Sequence, residues 1–149
     1  IMSKFIGVKM IEAVPMTAEE AIKNHYIVSA FSSEKDGYEV TYNDGYKSWC
    51  PKSIFERTYF EIKFDDKLSP EDIDNFIKSE SCTTIGKKTT IGVLTCLTGF
   101  EATVSSSCVK PENYDINIGK KYAIEKAKDQ IWSGLGFVLQ WAINGLKKK

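Results

Sequence analysis

Thr89-Thr-Ile-Gly-Val-Leu-Thr-Cys-Leu97, then Thr98-Gly99, then Phe100-Glu-Ala-Thr-Val-Ser-Ser-Ser-Cys108 is the stretch that decides the fold. Two runs rich in Thr, Val, Ile and Ser flank a Gly-containing dipeptide, which is the pattern of a β-hairpin. A two-residue turn at Thr98-Gly99 sets Leu97 opposite Phe100, Thr95 opposite Ala102, Val93 opposite Val104 and Ile91 opposite Ser106. That register predicts one buried apolar face. The other face holds Glu101, Thr103, Ser105 and Ser107, with Leu94 and Cys96 as apolar exceptions.

Upstream of the hairpin, Asp65-Asp-Lys-Leu-Ser-Pro70 reads as a junction, and Ser69 with Pro70 and Asp72 reads as a helix start. Ile73, Phe76 and Ile77 then share one helical face. Downstream, Pro111-Glu-Asn-Tyr114 leads into an amphipathic helix over 115–133, with Tyr122, Ala123, Ala127, Ile131 and Trp132 at three-to-four spacing. Gly134-Leu-Gly136 is expected to break it, and residues 137–146 to form a second apolar helix. The segment 65–149 is thus expected to be a helix-hairpin-helix-helix module.

Residues 1–64 form the other expected module, a small twisted antiparallel sheet. Residues 3–14 read as a strand ended by Pro15, and Thr17-Ala-Glu-Glu20 matches a capping box opening a short helix. A polar loop is predicted over 32–37. Tyr38-Glu-Val-Thr-Tyr42 and Tyr46-Lys-Ser-Trp49 flank Asn43-Asp-Gly45. A two-residue Asp44-Gly45 loop would pair Tyr42 with Lys47 and Val40 with Trp49 and turn Tyr46 to the other face. Ser53-Ile-Phe-Glu56 matches another capping box, opening a helix towards Tyr59. The fold class expected from these elements is α+β.

Composition limits the function. The 149 residues carry 20 Lys+Arg against 20 Asp+Glu, and the single Arg is Arg57. Zero net charge and a lack of guanidinium forks argue against a nucleic-acid binder, which carries a basic surplus. No apolar run approaches the roughly 20 residues of a membrane span, and no leader pattern opens the chain, so a soluble intracellular protein is expected. One histidine, His25, leaves no Ser-His or Cys-His pair beyond it, and it reads as a helix-terminal surface group. Cys50, Cys82, Cys96 and Cys108 contain no C-x-x-C pair. They read as reduced thiols, with Cys96 and Cys108 on opposite hairpin faces; no metal, no cofactor and no catalytic residue is expected.

What remains is an aromatic cluster, Tyr38, Tyr42, Tyr46 and Trp49 on the first hairpin with Lys52, Arg57 and Tyr59. Tyr42 shares the buried face with Lys47, and Tyr46, Trp49, Lys52, Arg57 and Tyr59 are the five candidate ligand-binding residues. Exposed aromatics beside cations stack a base and hold its phosphates, whereas the same rings buried are simply a small core. The second candidate surface is Phe137, Val138, Trp141 and Leu146, too apolar for a free helix and expected to pack on the first module or on a second copy in a homodimer.

Pro111-Glu-Asn-Tyr-Asp115, Ile118-Gly119, Ala123, Lys126-Ala127, Ile131-Trp132 and Gly136-Phe-Val-Leu139 carry a resemblance. They are similar, in order and type, to the small tailed-phage accessory family of gene forty-nine of phage N-four and gene sixty-six of phage S-f-six. The likeness spans residues 69–139 and takes in the Ser69–Ile77 helix, the hairpin and its Gly99-Phe100 turn. Residues 5–60 resemble a separate phage module through Ile6-Gly7, Pro15-Met16-Thr17, Asp44-Gly45-Tyr46, Ser48-Trp49 and Phe55-Glu56. Asn24-His25-Tyr26 stands where that module has a basic-Gly-Trp stretch. The resemblance implies a phage or prophage accessory protein in the host bacterial cytoplasm and no particular reaction; action by occupancy is expected by analogy with other small phage accessory proteins. Sequestration of a nucleotide-type host signal as a counter-defence is the first expectation. Docking on a host protein is the alternative, and a nucleic-acid-associated regulator ranks last.

Overall fold

A computed structural model describes residues 1–29 and 33–149. The polar loop predicted from Ser32 therefore begins outside the described residues. The architecture is α+β, with two three-stranded antiparallel sheets ordered β1-β2-β3 and β4-β5-β6. The chain divides into two compact units, residues 1–61 with 141–149, and residues 62–140.

In the first unit β1 is Glu12–Pro15, β2 is Gly37–Thr41 and β3 is Lys47–Pro51. The strand expected from residue 3 starts only at Glu12, because Glu12 pairs with Thr41, the last residue of β2, and the chain before it has no partner strand. Pro15 lies inside β1, as an edge strand allows. Helix α1, Ala18–Lys23, opens on the expected capping box: Thr17 Oγ1 accepts from the Glu20 amide at 3.1 Å while Glu20 Oε2 accepts from Thr17 N–H at 3.2 Å. It closes in a Schellman motif, His25 N–H donating to the Ile22 carbonyl and Tyr26 N–H to that of Ala21. His25 takes the left-handed position of that motif at φ 64°.

Helix α2, Lys52–Thr58, is not capped by Ser53 and Glu56. Pro51 is its N-cap, and the Ser53 amide and hydroxyl both donate to the Glu34 carboxylate instead. A distant acid has taken the place of the local one.

In the second unit, α3 (Pro70–Phe76) starts as expected. Its buried Asp72 accepts from the Ser69 and Lys63 amides at 2.8 and 3.1 Å, tying the junction to the helix. Strand β4, Ile77–Ile85, is an element the sequence reading lacks; β5 is Thr89–Cys96 and β6 is Glu101–Ser107. The glycines 134 and 136 do not break the C-terminal helix: α4 runs unbroken over Ile116–Asn144. The helix-hairpin-helix-helix order is thus helix, three-stranded sheet, one long helix.

Both hairpins are shifted by one residue from the expected register. Tyr42 N–H donates to the Tyr46 carbonyl, and Cys96 N–H to that of Phe100, so each loop has three residues and ends on a left-handed glycine, Gly45 at φ 87° and Gly99 at φ 88°. This is a turn closed by a glycine bulge, which adds one residue to the loop. Leu94 therefore faces Ala102 and Val40 faces Ser48. The slip exchanges faces, so the two supposed exceptions, Leu94 and Cys96, are core, packed with Ile73, Ala102, Ala127 and Ile131. The expectation of opposite faces for Cys96 and Cys108 goes with the old register. What separates these two free thiols is ladder length, Cys96 lying at the turn and Cys108 beside Lys88. Helix α4 seats on β5 through small residues: Gly92 meets Ala123, and Gly119 lies directly against Thr90.

Candidate functional site

The three-residue loop between β2 and β3 decides where the rings stand. Because Tyr42 and Tyr46 bracket Asn43-Asp44-Gly45 as a bonded pair, both rings share one side of the hairpin tip. Tyr46 therefore does not point away from Tyr42. Their centroids are 5.7 Å apart at an interplanar angle of 26°. Asp44 Oδ1 accepts from the Tyr46 amide at 3.0 Å and holds the loop. Tyr42 is half-buried with its hydroxyl 3.3 Å from Ser48 Oγ, whereas Tyr46 is 64% exposed.

Lys9, from the segment before β1, sets its ammonium 4.3 Å from the Tyr42 ring centroid. Lys9, Met10, Tyr42, Asn43, Asp44 and Tyr46 line a shallow open cavity of about 350 Å³. An ammonium over a ring face beside a second, exposed ring is an arrangement that holds a flat aromatic group and a negative charge together.

The other sequence candidates lie elsewhere. Trp49 is 7% exposed, its indole N–H donating to the Met16 carbonyl at 2.8 Å, and its ring covers Gly37, where a Cβ would come within 2.5 Å. Tyr59 is half-buried at the end of an aromatic stack in which Tyr38 and Phe55 are 3.9 Å apart and Phe55 and Tyr59 5.0 Å. Burial, with the neighbouring Tyr42 adding to it, pushes the Tyr59 phenol above its ordinary value. Lys52 pairs with Glu56 at 4.0 Å and lines a second open cavity of about 310 Å³ with Thr17, Glu20, Asp36 and Tyr38. Arg57 is exposed in the last turn of α2, where its charge suits the helix end. Of the five, Tyr46 alone sits at the ring-and-ammonium cavity.

Lys9 and Met10 are the residues sequence reasoning missed, whereas Tyr42 was in the expected cluster but assigned to the face opposite Tyr46. The clue to Tyr42 was its symmetric position across the loop, visible only with the correct register. Nothing in the sequence marks Lys9, which arrives from a segment outside the sheet. Within α4, Phe137 and Val138 are exposed and Trp141 half-buried; Leu146, beyond its end, is 81% exposed.

Among the described residues no group of three or more His, Cys, Asp or Glu gathers as a metal would need. Burial pushes the thiols of Cys50, Cys82 and Cys96 above their ordinary value. No helix among the described residues is long and apolar enough to cross a membrane.

Set against known proteins, residues 68–143 match the family described as Phage protein (N4 Gp49/phage Sf6 gene 66). No curated protein and no solved structure matches the chain. With just over half of its length matched, the chain belongs to this phage protein family.

Proposed function

We propose that this phage protein acts by binding rather than by catalysis, sequestering a nucleotide-type host signal in the bacterial cytoplasm as a counter-defence. The observation that carries the reading is the exposed Tyr46 ring beside Tyr42, with the Lys9 ammonium in the same open cavity. In this reading the base lies on Tyr46, the phosphate is drawn to Lys9, and the Asn43 amide reads the base edge. Neutral overall charge fits a small anionic ligand better than a polyanion, whose capture needs many cations.

Calorimetry against a panel of cyclic nucleotides and ADP-ribose derivatives tests it. One panel member is expected to bind, and Tyr46→Ala to weaken that binding roughly 5- to 150-fold, the worth of one stacked base. Heat-silent titrations across the panel remove the reading.

The exposure of Phe137 and Leu146 favours a second reading, in which the apolar C-terminal segment docks on a host protein, or, with Val138 and Trp141, on another copy of the chain. A stoichiometric partner lost on Phe137→Ser supports it; recovery of none from host lysate counts against it.

A further inference from the structure

The sheet β4-β5-β6 has two edges, and they are treated differently. At the β6 edge, Lys126 Nζ donates to the Ser105 carbonyl at 3.3 Å and Gln130 Nε2 to the Thr103 carbonyl at 3.4 Å. Side chains of α4 thus occupy that edge. At the β4 edge, among the described residues, no hydrogen bond to the outward backbone is seen. Seven of the nine β4 residues are exposed. An open edge of this length is a template for another strand unless something blunts it. Beyond the irregularity between Ile77 and Ser79, β4 has neither proline nor bulge through Ile85.

The ladder identifies the free groups. Cys96 N–H donates to Phe100 and the Lys88 carbonyl accepts from Cys108, so the even residues of β5 bond towards β6. Its odd residues then bond towards β4, where their partners are Ser79, Ser81, Thr83 and Ile85. Glu80, Cys82 and Thr84 are left with amides and carbonyls aimed outward.

We infer that β4 pairs with β4 of a second copy, antiparallel and centred on Cys82, to make one six-stranded sheet. This register joins all of the regular stretch from Ser79 to Ile85 and leaves the irregular Lys78 outside. Glu80 meets Thr84 of the partner, Ser81 meets Thr83, Ser79 meets Ile85, and no like charges stand opposite each other. The register centred on Glu80 would oppose two carboxylates, and an odd slip would set outward amides against residues whose own amides and carbonyls point back to β5. The interface is separate from the C-terminal apolar segment and does not depend on the ligand reading.

Three measurements on the full chain test the pairing. Sedimentation should show a concentration-dependent dimer. Copper-phenanthroline in air should oxidise two Cys82 thiols to an interchain disulfide, since a bonded antiparallel pair sets Cα atoms about 5.5 Å apart, within disulfide reach; Cys82→Ser should abolish the cross-link. Glu80→Pro deletes one outward amide per chain and no bond to β5, so it should weaken the dimer roughly tenfold or more at unchanged circular dichroism. If Glu80→Pro does not fold, Thr84→Pro serves the same purpose. A monomer at all concentrations, an absent Cys82 cross-link, or a dimer indifferent to the proline each overturns the pairing.

Discussion

Gly119→Ala in α4 is a substitution for which helix propensity and packing predict opposite signs. In a helix interior, alanine in place of glycine gains about 1 kcal/mol. Here a Cβ on residue 119 would lie 2.0 Å from Thr90 Oγ1 and 3.0 Å from Thr90 Cβ. Thr90 is fully buried, and its hydroxyl is 2.8 Å from the Tyr114 hydroxyl, so it cannot swing aside without losing that bond. The alternative is for α4 to lift, which unseats Ala123 from Gly92. Overpacking of this kind costs about 1–3 kcal/mol, and the hydrogen bond about 1 more. The net expectation is a loss of about 1–3 kcal/mol, with Tm falling about 2–4 °C per kcal/mol. Thermal and urea unfolding followed by far-UV circular dichroism read it directly. In a Thr90→Ala background the closest clash is gone, so the same substitution should cost much less. A gain in stability from Gly119→Ala alone would refute the seating of α4 on β5.

Other expectations follow from the first unit. His25 holds a left-handed φ at the end of α1, so His25→Gly should raise stability by about 1 kcal/mol in a urea titration. Trp49→Phe keeps the ring but strands the Met16 carbonyl, and should lower stability by about 1–3 kcal/mol. Hydrogen bonds from the Ser53 hydroxyl and amide hold the Glu34 carboxyl below its usual range. Its folded value being depressed, the contribution is present above the ordinary glutamate value of 4.5 and is lost as pH falls from there through the lowered value; Ser53→Ala should remove most of that acid limb from a stability-against-pH profile. Tyr46→Ala, at an exposed ring, should leave the unfolding midpoint within about 0.5 kcal/mol of the parent while weakening ligand binding.

Local signals proved legible and long-range ones did not. Thr17 with Glu20, and Ser69 with Asp72, satisfy each other within one turn, so their capping boxes are readable from spacing alone. Ser53 and Glu56 have the same spacing, but Glu34 reaches Ser53 from nineteen residues away and displaces the local partner. Asp44-Gly45 and Thr98-Gly99 announced the hairpins correctly. They hid the register, because a glycine that closes a three-residue loop looks in sequence like the second residue of a two-residue loop. That one-residue difference moved Leu94 and Cys96 into the core and brought Tyr42 alongside Tyr46.

Strand β4 lacked an apolar alternation, since most of it is exposed, and its identity rests on pairing with β5. Gly134 and Gly136 read as a break because each costs a helix about 1 kcal/mol, a sum that the packing of Ala123, Ala127 and Ile131 outweighs. Of the site itself, Tyr46 was legible as the free ring. Lys9 was not, because its position depends on the course of a segment that pairs with no strand.

The central claim, that the cavity of Tyr42, Tyr46 and Lys9 is where this phage protein takes its ligand, is tested most directly by NMR titration of the labelled chain with the nucleotide panel. Shift changes that saturate and cluster on Lys9, Met10, Tyr42, Asn43 and Tyr46, and vanish in Tyr46→Ala, are the predicted result. Saturable changes centred instead on Lys52 and Arg57 or on residues 137–146, or no saturable change with any panel member, would contradict it.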